Sequence, residues 1–324
     1  VAISQQSIII NLADQQTLHL RRISDEDQQG PIVFFMHGAI ENGKIFYTHS
    51  NKGLAPFLAE HGYRCYVADL RGRGDSKPII SSESEYGQTE SILEDIPAFI
   101  KQIELIEGKK PDYWVAHSWG GVLMNSAFAR FPEYINDVKA CVYFGSKRSL
   151  FNSHPQKLLQ ANLIWYFMAP LLAKKHGYLN AKGYKWGSDN ETQKSHYQSM
   201  QWAKKKPWID SDDNFDYAKT LNNLHLPPTL HIAAVKDKAL AQPIDIQKFM
   251  DESGQGIQQM RIYGRKHGHN FDYDHINMLT HPSARDDQFK DLLNWFKAHP
   301  KGPVDLSGLK FVQSKEDLIT ARSL

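Results

Sequence analysis

The chain has 324 residues, 41% of them hydrophobic and 23% charged, with a formal net charge of +2. That length allows one large α/β domain or two small ones, and those fractions are ordinary for a globular protein. Near-neutral charge removes any global electrostatic case for nucleic acid or a membrane surface, and no apolar run approaches the roughly 18 residues of a bilayer span.

Residues 7–12 and 17–22 read as a short antiparallel pair around the turn Ala13-Asp14-Gln15-Gln16. Residues 32–36 are continuously apolar, as expected of a strand covered on both faces. Residues 54–61 are a helix ended by Gly62, 63–70 the next strand, and 91–106 a longer amphipathic helix closed by Gly108. Tyr113-Trp114-Val115 is another buried strand, and 122–129 a helix-forming run. Three more strands fall at 140–144, 229–235 and 259–263, with a helix at 244–250 between the last two. Residues 283–298 close the series as one helix, with Phe289, Leu292, Leu293 and Phe296 on one face. Such alternation implies an α/β fold: a mostly parallel sheet covered by helices on both faces.

The alternation breaks between 150 and 217, where aromatic residues are dense. This segment is expected to be a helical cap over the carboxyl edge of the sheet, where ligands bind in such folds. Most of its rings should form the cap's own core. Trp165, Phe167 and Trp186 are the candidate substrate contacts. Residues 1–149 and 218–300 would then form the core domain, and the polar stretch 301–324 a loosely attached tail. Two cysteines without a disulfide framework give the expectation of a reducing, cytoplasmic compartment; oligomeric state is left open.

Ala116-His117-Ser118-Trp119-Gly120-Gly121 carries the chemistry. A serine pinched between strand and helix, with small residues two places either side, is a nucleophile elbow, here with alanine in the usual first glycine position. Serine is a poor nucleophile at its free pKa and needs a base, which in turn needs an orienting acid. The chain order for elbow folds is Ser, acid, His. Asp237, just past the strand 229–235, is the expected acid. Four histidines crowd one segment, His267, His269, His275 and His281. His275 lies at the right distance before the helix opened by Pro282 and is the expected base, with His269 second. The oxyanion needs two backbone donors: the N–H of Trp119, after the nucleophile, and that of Ala39, in the His37-Gly38-Ala39 turn after the strand 32–36. No metal, flavin or nicotinamide site is expected. There is no His-Glu-x-x-His pattern, and the Gly-rich stretch 71–74 follows the wrong strand for a dinucleotide.

Together these pieces resemble the α/β-hydrolase superfamily, its serine esterase and lipase-like members in particular. The resemblance rests on Phe35-Met36-His37-Gly38, Asp69-Leu70-Arg71-Gly72-Arg73-Gly74-Asp75-Ser76, the elbow at Ser118, Val235-Lys236-Asp237, and His275 through Pro282, in family order from 32 to 296 outside the cap. It implies that Cys65 and Cys141 sit on strands three positions apart, too far for a disulfide. It also implies acyl transfer, because the family's dehalogenases and epoxide hydrolases use aspartate at the elbow. The expected activity is hydrolysis of a small-molecule carboxylic ester with a hydrophobic acyl or alcohol part. Thioesterase, aminopeptidase, C–C hydrolase and acyltransferase chemistry share the same residues, and a non-catalytic ligand-binding member shares the fold. No cofactor, nucleic-acid partner or membrane span is implied.

Overall fold

The protein is described by a computed structural model covering residues 2–25, 29–204 and 207–300. The expected tail at 301–324 lies outside the described residues. An eight-stranded sheet organises the molecule, in the order β1-β2-β4-β3-β5-β6-β9-β10. The strands are β1 (Ile3–Asn11), β2 (Thr17–Asp25), β3 (Ile32–Met36), β4 (Arg64–Asp69), β5 (Tyr113–His117), β6 (Ala140–Phe144), β9 (Thr229–Ala234) and β10 (Gln258–Tyr263); β7 (Tyr178–Leu179) and β8 (Glu191–Thr192) make a separate small pair. β1 and β2 are antiparallel, while β4, β3, β5, β6, β9 and β10 all run parallel. The sheet is thus the mostly parallel one expected, with an antiparallel pair at one edge.

Strand periodicity sorts side chains to opposite faces. Phe34, Met36, Trp114 and Ala116 join one core with the helices Ile96–Glu107 and Trp119–Arg130. Val33, Phe35, Tyr113 and Val115 join the other, against Leu54–Glu60 and Phe289–Ala298. Phe128 stacks on Trp114 at 4.4 Å, fixing the helix after β5 on its strand. Cys65 on β4 and Cys141 on β6 are buried and free, three strand positions apart.

Two helices differ from the sequence expectation. The closing helix is not continuous over 283–298. A tight turn at Pro282–Arg285, capped by His281 Nδ1 accepting from the Ser283 N–H at 3.2 Å, precedes the helix Phe289–Ala298. Asp287, between them, is held by the Asn270 N–H and the Tyr273 hydroxyl, both at 2.8 Å. A tertiary contact therefore interrupts a run whose periodicity is helical. Likewise, the helix expected at 91–106 begins earlier, at Gln88, and passes through a widened π turn at Ser91–Asp95 before Ile96–Glu107. There the buried Asp95 carboxylate accepts from the Arg71 backbone N–H and guanidinium.

Between β6 and β9 the chain makes a long excursion, including the helices Leu158–Met168 (π-wound), Ala169–His176 and Gln193–Ala203. Its aromatics divide. Trp202, Trp208 and Tyr217 pack into the sheet's own core, whereas Trp165 and Trp186 join a small cluster with Ala169, Ala173, Leu179 and Ala181. Among the described residues no helix is long and apolar enough to cross a membrane.

The elbow constrains what can occupy position 120. A Cβ on Gly120 would stand 2.5 Å from the Met36 carbonyl oxygen and 2.7 Å from that of His37, both backbone atoms of β3 and its loop. Gly120→Ala should therefore lower stability by about 1–3 kcal/mol through overpacking, measured by urea denaturation; an unchanged midpoint would contradict the close approach.

Candidate active site

The carboxyl ends of four strands meet at one edge of the sheet. β5 ends at His117, and Ser118 turns the chain with φ 52 and ψ −121 into the helix Trp119–Arg130. A non-glycine residue at positive φ costs of order 1–3 kcal/mol. The position is held by the Ser118 N–H donating to the Phe144 carbonyl at 2.8 Å and by the close packing at Gly120.

Asp237 follows β9 and His275 follows β10. His275 Nδ1–H donates to Asp237 Oδ2 at 2.6 Å, and its Nε2 lies 2.9 Å from Ser118 Oγ, placed to accept the hydroxyl proton. The tautomer is assigned from these partners. Asp237 is buried, which favours the neutral acid, but His275, the Leu240 N–H (2.9 Å) and the Lys147 charge outweigh burial and hold its pKa at about 2. For His275 the balance tips the other way. Burial lowers its pKa, Asp237 offsets only part of this, and the nearby His117 and Lys147 charges lower it further. The pair is therefore carboxylate and neutral imidazole, the protonation states of an orienting acid and a general base.

Ser118 opens into a cavity of about 680 Å³ lined by Ala39, Trp119, Lys147, Trp165, Trp186 and His275, among others. Neither the Ala39 nor the Trp119 N–H donates to another group among the described residues. For Trp119 this follows from its place in the first turn of a helix, whose N–H groups lack intrahelical acceptors. Trp165 and Trp186 thus line this cavity. Phe167 does not: it is absent from the cavity wall and 62% exposed, because the turn that brings Trp165 inward carries it outward.

A family model described as the alpha/beta hydrolase fold matches residues 31–249. The chain belongs to the α/β-hydrolase fold family. Human lysosomal acid lipase/cholesteryl ester hydrolase is 27% identical over 139 residues, which is 41% of this chain and 35% of that protein. The bifunctional epoxide hydrolase 2 of Sus scrofa is 28% identical over 149 residues, 45% of this chain and 25% of that protein. The matches therefore span about a third and a quarter of those relatives' lengths. A soluble variant of monoglyceride lipase from Saccharomyces cerevisiae shares the fold, with a TM-score of 0.58 and 19% identity over 91% of this chain and 97% of that one.

In this α/β-hydrolase the loop after β3 is braced from several sides. His37 is neutral in the tautomer that donates from Nδ1 to the Gly38 carbonyl (2.8 Å) and accepts at Nε2 from the Leu70 N–H (3.1 Å); burial lowers its pKa. Asp69 accepts from the Gly43 N–H at 2.8 Å, the Asp75 N–H at 3.0 Å and His19 at 2.8 Å. His19, Asp69 and Asp75 bring ligand atoms within 4.8 Å of one another, but the Asp69 oxygens are already committed to these loop contacts. Ile40 sits at φ 51, a conformation a β-branched residue rarely adopts. It is clamped by β8 and the preceding turn: its N–H donates to Glu191 at 3.3 Å and its carbonyl accepts from the Asp189 N–H at 3.0 Å. Gly187 permits this, since a Cβ there would lie 2.2 Å from the Ile40 oxygen. Glu191 also pairs with Arg73, and Asp189 accepts from the Gly74 N–H at 2.6 Å. The Asp-x-Arg-Gly-x-Gly stretch is thus a strut between the excursion and the loop carrying Ala39.

The sequence reading did not single out Glu41, His117 or Lys147. His117 donates from Nδ1 to Glu41 Oε1 at 2.6 Å and from Nε2 to the His275 carbonyl at 2.8 Å. Burial opposes both charges, yet Glu41 raises the His117 pKa and His117 lowers that of Glu41, so the buried pair is ionised. It ties the loop after β3 to the backbone of His275. The only signal in the sequence was a polar residue closing an apolar strand. Lys147, just past β6, places Nζ 3.4 Å from Ser118 Oγ; burial lowers its pKa against the raising influence of Asp237, Asp245 and Glu41. The other histidines are elsewhere: His269 accepts from the Gly264 N–H and faces Asp291, His267 lies in an exposed turn, and His281 is a cap.

The neutral form of His275 is the one able to take a proton, and its pKa lies below the ordinary 6.5. Activity should persist as pH falls and be lost only below 6.5, so the acid limb of kcat/KM has its midpoint under that value. A pH–rate profile with an acid limb at or above 6.5 would contradict the environment described.

Proposed function

We propose that the chain is a serine hydrolase cleaving a carboxylic ester with a hydrophobic acyl or alcohol part. One observation carries the reading: Ser118 Oγ, His275 Nε2 and Nδ1, and Asp237 Oδ2 form a continuous hydrogen-bonded line, with contacts of 2.9 and 2.6 Å. Ser118 Oγ attacks the ester carbonyl as its proton passes to His275 Nε2. Asp237 stabilises the imidazolium and keeps the ring oriented. The N–H groups of Ala39 and Trp119 receive the oxyanion, His275 returns the proton to the departing alcohol, and water repeats the sequence on the acyl-enzyme. Ile40, Trp165 and Trp186 supply apolar wall for the uncharged part of the substrate. The similarity to a lysosomal acid lipase/cholesteryl ester hydrolase supports ester chemistry. Residues 150–217 act in this reading as a cap over the site.

Ser118→Ala should reduce kcat/KM on p-nitrophenyl esters by a factor on the order of 10⁵–10⁶, and His275→Ala comparably, whereas His269→Ala should cost far less, because its ring packs on Tyr263 away from the cavity. Retention of Ser118→Ala activity within about tenfold would mean the nucleophile lies elsewhere.

A further inference from the structure

We propose that the substrate of this site carries an anionic group, a carboxylate or a phosphate, a few bonds from the scissile carbonyl, and that Lys147 binds it. The inference builds on the hydrolase reading above. Lys147 is partly buried; among the described residues its amine makes one polar contact, the long approach to Ser118 Oγ, and forms no ion pair. Asp237, Asp245 and Glu41 act on it only beyond ion-pair distance; withdrawing an ammonium from water without a contacting counter-charge is unfavourable, and a neutral ester leaves that cost unmet.

The rest of the cavity wall has the same sign. Lys44, Lys182 and Lys185 line it without an ion-pair partner among the described residues, while Arg148 is taken by Glu252. Among the described residues Glu41 is the single carboxylate on the wall, and it is paired with His117. An anion entering here meets Lys147 at the nucleophile and the exposed Lys44, Lys182 and Lys185 further out, while the Asp237 carboxylate lies behind His275 and off the wall.

Distance narrows the chemistry. A charge-assisted N–H···O bond of about 2.8 Å, added to the 3.4 Å from Nζ to Ser118 Oγ, keeps the anion within about 6 Å of the nucleophile. A spacer of two or three carbons between the reacting carbonyl and the anion spans that gap. Half-esters of short dicarboxylic acids fit, as do their phosphonate counterparts, with the alcohol part left for Ile40, Trp165 and Trp186. A rate effect follows from the same contact. Lys147 disfavours a charged His275, so an anion that neutralises Lys147 eases proton uptake by the base in the transition state, not only binding.

The test compares benzyl alcohol release from monobenzyl glutarate, benzyl 4-phosphonobutanoate and the neutral benzyl methyl glutarate. The native chain should favour at least one anionic ester by about tenfold or more in kcat/KM, and the preferred one identifies the anion as carboxylate or phosphate. Lys147→Met should bring the ratio to about one, and Lys147→Arg should restore part of it. A native ratio at or below one, or a ratio unchanged in Lys147→Met, would overturn the proposal. If no ester is cleaved and a fluorophosphonate leaves Ser118 unlabelled, the hydrolase reading has failed by itself. Calorimetry with glutarate and with 4-phosphonobutanoate on the native chain and Lys147→Met then decides the anion site. Lys147-dependent binding of either upholds it, and its absence for both overturns it.

Discussion

A hydroxyl group stands clear of a sheet edge only if the chain reverses within one residue of the strand end, and here Ser118 does so at φ 52. Much of the surrounding architecture serves that reversal. The helix after β5 must start almost in contact with β3, so position 120 has no room for a Cβ. Trp114 and Phe128 stack across the strand–helix junction and resist any relaxation of the turn. The serine's main chain is pinned to β6 through the Phe144 carbonyl. Backbone strain at one residue is thus distributed over three neighbouring strands and held by packing that could not shift without cavities or clashes.

Electrostatics at the same edge is a contest between burial and pairing, and the winner differs from group to group. Pairing prevails at Asp237, which stays ionised, and at Glu41 with His117, which are both charged despite being buried. Burial prevails at His275 and His37, which are neutral. The difference lies in partners: Asp237 accepts from an imidazole and a backbone N–H and feels a nearby ammonium, whereas His275 has one carboxylate set against two cationic neighbours. Lys147 is left with no ion-pair partner among the described residues. That uneven sharing leaves a neutral imidazole between Asp237 and Ser118, with an ammonium beside the serine.

The loop carrying Ala39 shows how distant segments cooperate. Asp69 and His37 secure it from the core side, while Asp189 and Glu191 secure it from the excursion between β6 and β9. The Asp-x-Arg-Gly-x-Gly stretch, legible in the sequence only as a mark of resemblance, has a mechanical task here. Arg73 and Gly74 hand the excursion's carboxylates to the loop.

What the linear chain determined by itself was the parallel α/β sheet, through apolar runs alternating with amphipathic helices, and the elbow, through small residues where strand and helix must nearly touch. Chain order pointed to Asp237 and His275 because each follows a strand that ends at the same sheet edge. Periodicity could not see the break at Asp287, nor the π turn at Asp95, since both are caused by partners far away in the chain. Nor could it tell Trp165 from Phe167, two residues apart, because the direction of a side chain on an irregular helix depends on what the helix packs against. Glu41, His117 and Lys147 became visible only in three dimensions. An isolated polar residue carries no periodic signal, and its charge state and partners are decided by which strands fold up beside one another.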